Sequence, residues 1–259
     1  MSARQNRLSD LLDLLRFENG ATIRDLALRL GVSAMTVRRD LSILERQNLV
    51  KTLHGSAVFN PGGSVSTGEI EYSLTAAESK HADEKRRIGQ AAASFIKQDE
   101  VVIVDTGTTT KYIAKYLPVG FHYTVICYNL NILLEATKLK GVEVVFAGGY
   151  YHENTTMFAS PEGLQLIRNN RAGIAFISAA GVSLELGLTC ANAYETDTKR
   201  AAIGSSLRKI LVADSSKFGR VQPYHFAEPG DFNTIITDTM IDTHYLREFE
   251  KRGIEVITV

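Results

Sequence analysis

The sequence predicts an α/β protein in two parts: a small helical head ending in a β-hairpin, then a larger domain built on a parallel sheet. Three observations carry this. Over residues 1–58 apolar side chains recur at intervals of three and four. Beyond residue 75, short runs of β-branched residues alternate with amphipathic stretches. Between the two lies a tract rich in Gly, Ser, Pro and Thr, NPGGSVSTGEIEYSLT.

The first helix is read from Leu8, Leu11, Leu12 and Leu15, the stripe of an amphipathic helix, and Asn19-Gly20 ends it. A second, shorter helix places Ile23, Leu26, Ala27 and Leu30 on one face and stops at Gly31. The third starts at Ser33, a good N-cap, and runs to about Gln47 with Val37, Leu41 and Leu44 inward. NLVKTLHGSAVF then alternates about a glycine, as a short hairpin does. Residues 1–58 are thus expected to form one domain, 59–75 a linker and 76–259 a second domain. In the second domain strands are expected at 101–105, 123–127, 142–148, 173–181, 209–214, 233–238 and 254–259, with helices between them. That alternation implies a parallel sheet covered on both faces, and such sheets bind ligands beyond the carboxyl ends of their strands.

Composition narrows the class. Hydrophobic residues are 44% and charged residues 22% of a chain of 259, values ordinary for a globular protein. No apolar run approaches a membrane span, the polar N-terminus has no signal-peptide core, and two cysteines make no disulfide framework. These features point to the cytoplasm, with no membrane partner. Net charge is zero, but residues 1–56 hold nine basic and six acidic side chains. That mild excess permits a nucleic-acid-binding head without establishing one.

The second helix, the turn Gly31-Val32-Ser33 and the third helix make a helix-turn-helix pattern. Opposite the apolar face of the third helix stand Met35, Arg39, Ser42 and Arg46, with Thr36 and Arg38 on the flanks. Arginine grips guanine O6 and N7 through two bonds. Ser33, Thr36 and the free N–H groups of the helix start suit phosphates. Lys51 and His54 would lie on a wing near the DNA backbone. Periodicity alone fits equally well three packed helices with a solvated charged face.

The wording is more specific. Thr36-Val37-Arg38-Arg39-Asp40-Leu41, followed by a wing with Gly55-Ser56 where a second glycine is usual, resembles the winged helix-turn-helix of the DeoR family of repressors. The resemblance implies double-stranded operator DNA as partner, and a homo-oligomer whose paired heads meet repeated half-sites.

In the larger domain Asp105-Thr106-Gly107-Thr108-Thr109-Thr110 joins a strand to a helix. Glycine allows close approach and the hydroxyls donate, so the loop suits a phosphate, although Thr and Gly also serve as ordinary turn residues. Neither a dinucleotide fingerprint nor a P-loop is present, so no cofactor is expected. His152 has no second ligand at metal spacing, so no metal is expected either. Cys127 and Cys190 read as small core residues.

The DeoR resemblance extends over nearly the whole chain. It takes in Asp105 to Thr110, Asn129-Leu130-Asn131, Gly148-Gly149, Ala180-Gly181, Glu195 with Lys199-Arg200, and Asp214 to Gly219. It implies a sensor similar to ribose-5-phosphate isomerase that answers to a phosphorylated sugar. On that likeness Thr106 to Thr110 would hold the phosphate, and Asn129, Glu195, Lys199 and Lys217 would line the pocket, with Asp105, Gly148 and Gly181 counted among the site residues. From the residues alone, Asn129 fits a helix cap equally well, and Glu195 with Lys199 a solvated pair. The runs Cys127 to Asn131, Ser178 to Val182 and Leu188-Thr189-Cys190 resemble the members that answer to deoxyribose 5-phosphate, which implies control of deoxynucleoside catabolism.

An isomerase with an added head is the competing reading. Aldose–ketose isomerisation needs a general base. The isomerase carries acidic residues after a central strand, where Ser178-Ala179-Ala180-Gly181-Val182 has no carboxylate. A binding domain without turnover is therefore expected. Activation of transcription, rather than repression, stays open.

Overall fold

The computed structural model describes residues 3–18, 20–46, 49–53, 55–59, 81–120 and 122–259. The head contains α1 (Ala3–Glu18), β1 (Ala21–Thr22), α2 (Ile23–Leu30), α3 (Ala34–Arg46), β2 (Val50–Leu53) and β3 (Ser56–Phe59). Leu11, Leu15, Ile23, Leu26, Val37, Leu41 and Leu44 form its core. The stop after α2 is Gly31, left-handed at φ 62°, whose N–H satisfies carbonyls of the last turn. Ser33 caps α3, its hydroxyl accepting from the Thr36 N–H at 3.2 Å. The hairpin pairs β2 with β3, and β1, which the sequence reading did not anticipate, adds a third strand to β3. Phe59, placed in the linker from sequence, belongs to β3. The rest of the expected linker, like His54, lies outside the described residues.

The second domain runs α4 (Ala82–Ala93), β4 (Val101–Val104), α5 (Thr110–Lys115), β5 (Tyr123–Cys127), α6 (Leu130–Ala136), β6 (Val142–Phe146), β7 (Tyr150–His152), β8 (Met157–Ala159), α7 (Pro161–Asn169) and β9 (Ala172–Ser178). It continues through β10 (Gly181–Ser183), β11 (Gly187–Cys190), α8 (Ala193–Gly204), β12 (Ser206–Val212), β13 (Tyr224–Ala227), β14 (Thr234–Thr237), α9 (Thr243–Lys251) and β15 (Glu255–Thr258).

All seven expected strands join one sheet in the order β15-β14-β12-β9-β4-β5-β6, and every pairing is parallel. Side chains alternate across it into two apolar clusters. One includes Ile103, Ile126, Ala175 and Leu211; the other includes Val102, Val125, Phe176 and Val212. Both faces are therefore covered, which explains the near-continuous apolar wording of these strands. A small antiparallel sheet, β10-β11-β13, and the hairpin β7-β8 were not anticipated.

The winding reverses between β4 and β9. From β4 the chain builds outward through β5 and β6; from β9 it builds the other way through β12, β14 and β15. The loops leaving β4 and β9 diverge there and open a crevice, the position where doubly wound sheets bind ligands.

Candidate functional site

That crevice is lined by Thr106, Gly107, Thr108 and Thr109 after β4, by Ser178, Ala179 and Ala180 after β9, and by Glu195, Lys199 and Lys217. Gly107 is required by the crossing: a Cβ there would lie 2.8 Å from the Ser178 Cβ.

Beneath the floor sits Asp105, with no exposed surface. Its carboxylate accepts from Lys199 Nζ at 2.5 Å, Tyr128 Oη at 2.5 Å and the Ser178 backbone N–H at 2.9 Å, while the Ser178 hydroxyl, 3.2 Å away, donates to the Thr106 carbonyl at 2.6 Å. A buried charge persists only when paired and bonded in this way. Burial pulls the Lys199 ammonium down, but the Asp105 and Glu195 carboxylates more than offset it and hold it above its ordinary value. Glu195 moves up because burial outweighs Lys199, 3.9 Å away, and the bonds from Asn192. Tyr128 is raised well above its ordinary value by burial and then by Asp105, so it stays a donor.

The four threonines of the loop divide into two kinds. Thr106 donates to the Thr155 carbonyl at 3.0 Å and accepts from Asn129 Nδ2 at 2.8 Å. Thr110 donates to the Gly107 carbonyl at 3.1 Å. Thr108 and Thr109 both face the crevice. Among the described residues their hydroxyls make no hydrogen bond. Lys217 reaches the same crevice from the 3-10 turn Ser215–Lys217, which Asp214 fixes by accepting from the Ser216 backbone N–H.

Of the residues expected at this site, Thr106, Gly107, Thr108, Thr109, Glu195, Lys199 and Lys217 meet at the crevice. Asp105 supports it from below. Asn129 stands one layer back: it caps α6 by accepting from the Asn131 N–H at 2.9 Å and clamps Thr106. Gly148 sits beyond β6 with its carbonyl on Ser160, and Gly181 opens β10 against the Arg220 carbonyl, so neither lines the crevice. The lining by Ser178, Ala179 and Ala180 was not foreseen, because small residues carry no chemical signal. Cys127 and Cys190 are buried, and burial pushes each thiol up to about 12, so neither is a thiolate near neutrality. His152 stacks on Tyr194 with ring centroids 3.7 Å apart.

On the head, α3 turns Met35, Arg38, Arg39 and Arg46 outward to solvent, with Ser42 half-buried among them. Ser42 donates to the Arg39 carbonyl at 2.8 Å, and Arg46 Nε to the Ser42 carbonyl at 3.1 Å. Lys51 is exposed on β2. Asp40 is buried under this face and bonded by Arg7 Nε at 2.6 Å, a tie from α1 to α3 that the sequence reading missed.

Among the described residues no helix is long and apolar enough to cross a membrane. The chain matches the DeoR-like helix-turn-helix domain over residues 7–61 and the DeoR C terminal sensor domain over residues 80–239. It is 31% identical to the deoxyribose operon repressor of Escherichia coli K12 over 254 residues, 98% of each chain. It is 30% identical to the HTH-type transcriptional regulator GolR of Listeria innocua over 253 residues, 98% of this chain and 96% of that one. A ribose 5-phosphate isomerase from Methanocaldococcus jannaschii superposes with a TM-score of 0.40 at 15% identity, over 54% of this chain and 55% of the other. With a helix-turn-helix head that exposes an arginine-bearing helix and a parallel-sheet sensor with a polar crevice, the chain belongs to the DeoR family of transcriptional regulators, not to a family of enzymes.

Proposed function

We propose that this protein is a cytoplasmic, homo-oligomeric repressor that binds double-stranded operator DNA through α3 and is released by a phosphorylated sugar held in the β4/β9 crevice. One observation carries the effector site. Thr108 and Thr109 present hydroxyls that make no hydrogen bond among the described residues, in a crevice that Lys217 also lines, and hydroxyl donors together with a cationic side chain suit a phosphate. Lys199 does not serve as a free cation, because Asp105 holds it. Asp105, buried and held by Lys199, Tyr128 and the Ser178 backbone N–H, is not placed to abstract a proton from a ligand, which supports binding over turnover.

The crevice encloses only about 20 Å3 of water-sized space in this conformation. A sugar phosphate therefore enters by shifting its walls. The Lys217 wall continues directly to Val221, whose carbonyl lies so close to Gly20 of the head that no Cβ would fit. Displacing that connection alters the seat of the head, and a ligand that prefers the altered arrangement weakens operator binding by its differential affinity.

Deoxyribose 5-phosphate is the first effector to test, on the likeness to the deoxyribose operon repressor. A thermal-shift screen of sugar phosphates tests the reading. At a hundredfold excess over Kd the true effector adds about 2.7 kcal/mol of stability and releases the protein from operator DNA in a gel shift. If no sugar phosphate raises the melting temperature, or the one that does leaves the operator complex intact, the reading fails.

A further inference from the structure

At the opposite end of the sheet from the crevice, Arg168, Arg171 and Arg200 line a hollow of about 240 Å3 together with Ala201, Gly204 and Ser205. It lies where α7 and α8 end and where β9 and β12 begin. We propose that this hollow is a second anion site that takes a small phosphorylated group, separate from the effector crevice.

Three features support it. First, the charges are not cancelled locally. Among the described residues no carboxylate lies within 4.0 Å of Arg168 or Arg171, and Arg200 has only Asp197 at 4.0 Å. The C-termini of α7 and α8 each contribute about half a negative charge, which leaves the hollow positive. Second, two of the arginines are preorganised by backbone carbonyls. Arg171 Nη1 donates to the Arg168 carbonyl at 2.7 Å and the Asn170 carbonyl at 3.0 Å, and Arg200 Nη2 donates to the His225 carbonyl at 2.9 Å. Guanidinium groups so held lose little freedom on meeting a phosphate, and their planar forks match its oxygens. Third, the size selects the ligand. Sites for drug-sized ligands run to about 300–1,000 Å3, so this hollow suits a phosphate or diphosphate group rather than a whole nucleotide. Capping of helix ends accounts for Arg171, but not for Arg168, whose guanidinium makes no hydrogen bond among the described residues.

The hollow and the crevice share α8, which carries Glu195 and Lys199 toward one and Arg200 toward the other.

The test is calorimetry on the full chain with pyrophosphate and, separately, inorganic phosphate, in a buffer free of other multivalent anions. Arg168→Gln with Arg200→Gln is expected to weaken pyrophosphate binding at least tenfold. Arg168→Lys with Arg200→Lys, which keeps the charge and loses the fork, is expected to weaken it at least threefold. Arg247→Gln, exposed on α9, is expected to leave it unchanged, whereas Thr108→Ala with Thr109→Ala is expected to remove only a separate binding event at the crevice and to keep the event that the arginine pair governs. Loss in the threonine variant but not in the arginine variants would put the anion in the crevice and overturn the proposal. Equal loss in Arg247→Gln would reduce it to nonspecific attraction. Arginine variants that bind pyrophosphate normally but grip operator DNA less well would also overturn it, reassigning the three residues to DNA.

Discussion

Replacing Thr108 and Thr109 together by alanine isolates effector binding from the rest of the molecule. Each hydroxyl bonded to a phosphate contributes about 1.5–3 kcal/mol. If only one of them engages the ligand, the smaller figure is already tenfold, since about 1.4 kcal/mol is a factor of ten. If both do, the loss rises toward a hundredfold or more, short of strict additivity because the two share one acceptor group. The fold should notice little. Neither hydroxyl makes a hydrogen bond among the described residues, so the cost is a buried methyl's worth of packing, about 1 kcal/mol each. Thr106→Ala is the contrasting variant. It removes the bonds to the Thr155 carbonyl and from Asn129; Asn129 keeps its bonds to the Thr155 carbonyl and Thr156 Oγ1, so the variant should lower stability by about 0.5–1.5 kcal/mol per lost bond. Calorimetry with the active sugar phosphate, gel shift with operator and a melting curve separate the three quantities. Thr108→Ala with Thr109→Ala should bind operator normally and ignore the inducer, and Thr108→Ser with Thr109→Ser should restore the response. Wild-type effector affinity in the alanine pair would mean that the phosphate sits elsewhere.

Three further outcomes are expected. Lys199→Met strands the buried Asp105 carboxylate and should cost about 3–5 kcal/mol, a fall in Tm on the order of 6–20 °C; adding Asp105→Asn should recover part of it, and a melting point as high as wild type in the single variant would show that Lys199 does not neutralise Asp105. Arg39→Ala should cost about 1–3 kcal/mol of operator affinity and relax base preference, whereas Lys51→Ala should weaken all sequences evenly and lower the salt slope by about one; unchanged specificity in Arg39→Ala would remove it from base reading. Glu195 is held above its ordinary 4.5 by burial, so the folded state binds the extra proton. Its stabilising contribution is present below 4.5 and lost as pH rises through the raised value. Urea titrations from pH 4 to 8 should show Glu195→Gln with a flatter decline over that window, and identical slopes would refute the assignment.

Much of this architecture could be read directly because each buried element repeats its apolar residues at the period of its own geometry. Val37, Leu41 and Leu44 on α3 and the β-branched runs of the parallel strands are such cases. The second sheet escaped notice because β10 and β11 have only three and four residues, too few for a period to declare itself. Asp40 was legible in position, three residues after Val37 and four before Leu44, but its partner Arg7 is 33 residues away and no local pattern links them. At the crevice the Asp105–Thr110 loop stood out by composition. The distinction between Thr106 and Thr110, already bonded, and Thr108 and Thr109, open, depends on Thr155, Asn129 and the turn itself. Ser178 enters the site only because the strand order brings β9 beside β4, across 73 residues of chain.

The reversal of winding between β4 and β9 separates the existence of the crevice from its taste. The opening is produced by the direction in which two strands hand the chain onward, so no lining side chain is needed to keep it there. Ala179, Ala180 and Glu195 can vary without closing it, while the Asp105–Lys199 brace underneath keeps its rim in register. A lineage could therefore exchange one inducer for another through substitutions at the wall and leave both the sheet and the DNA-reading helix untouched. The same separation makes the wall the place to engineer a sensor for a sugar that nature has not assigned to it.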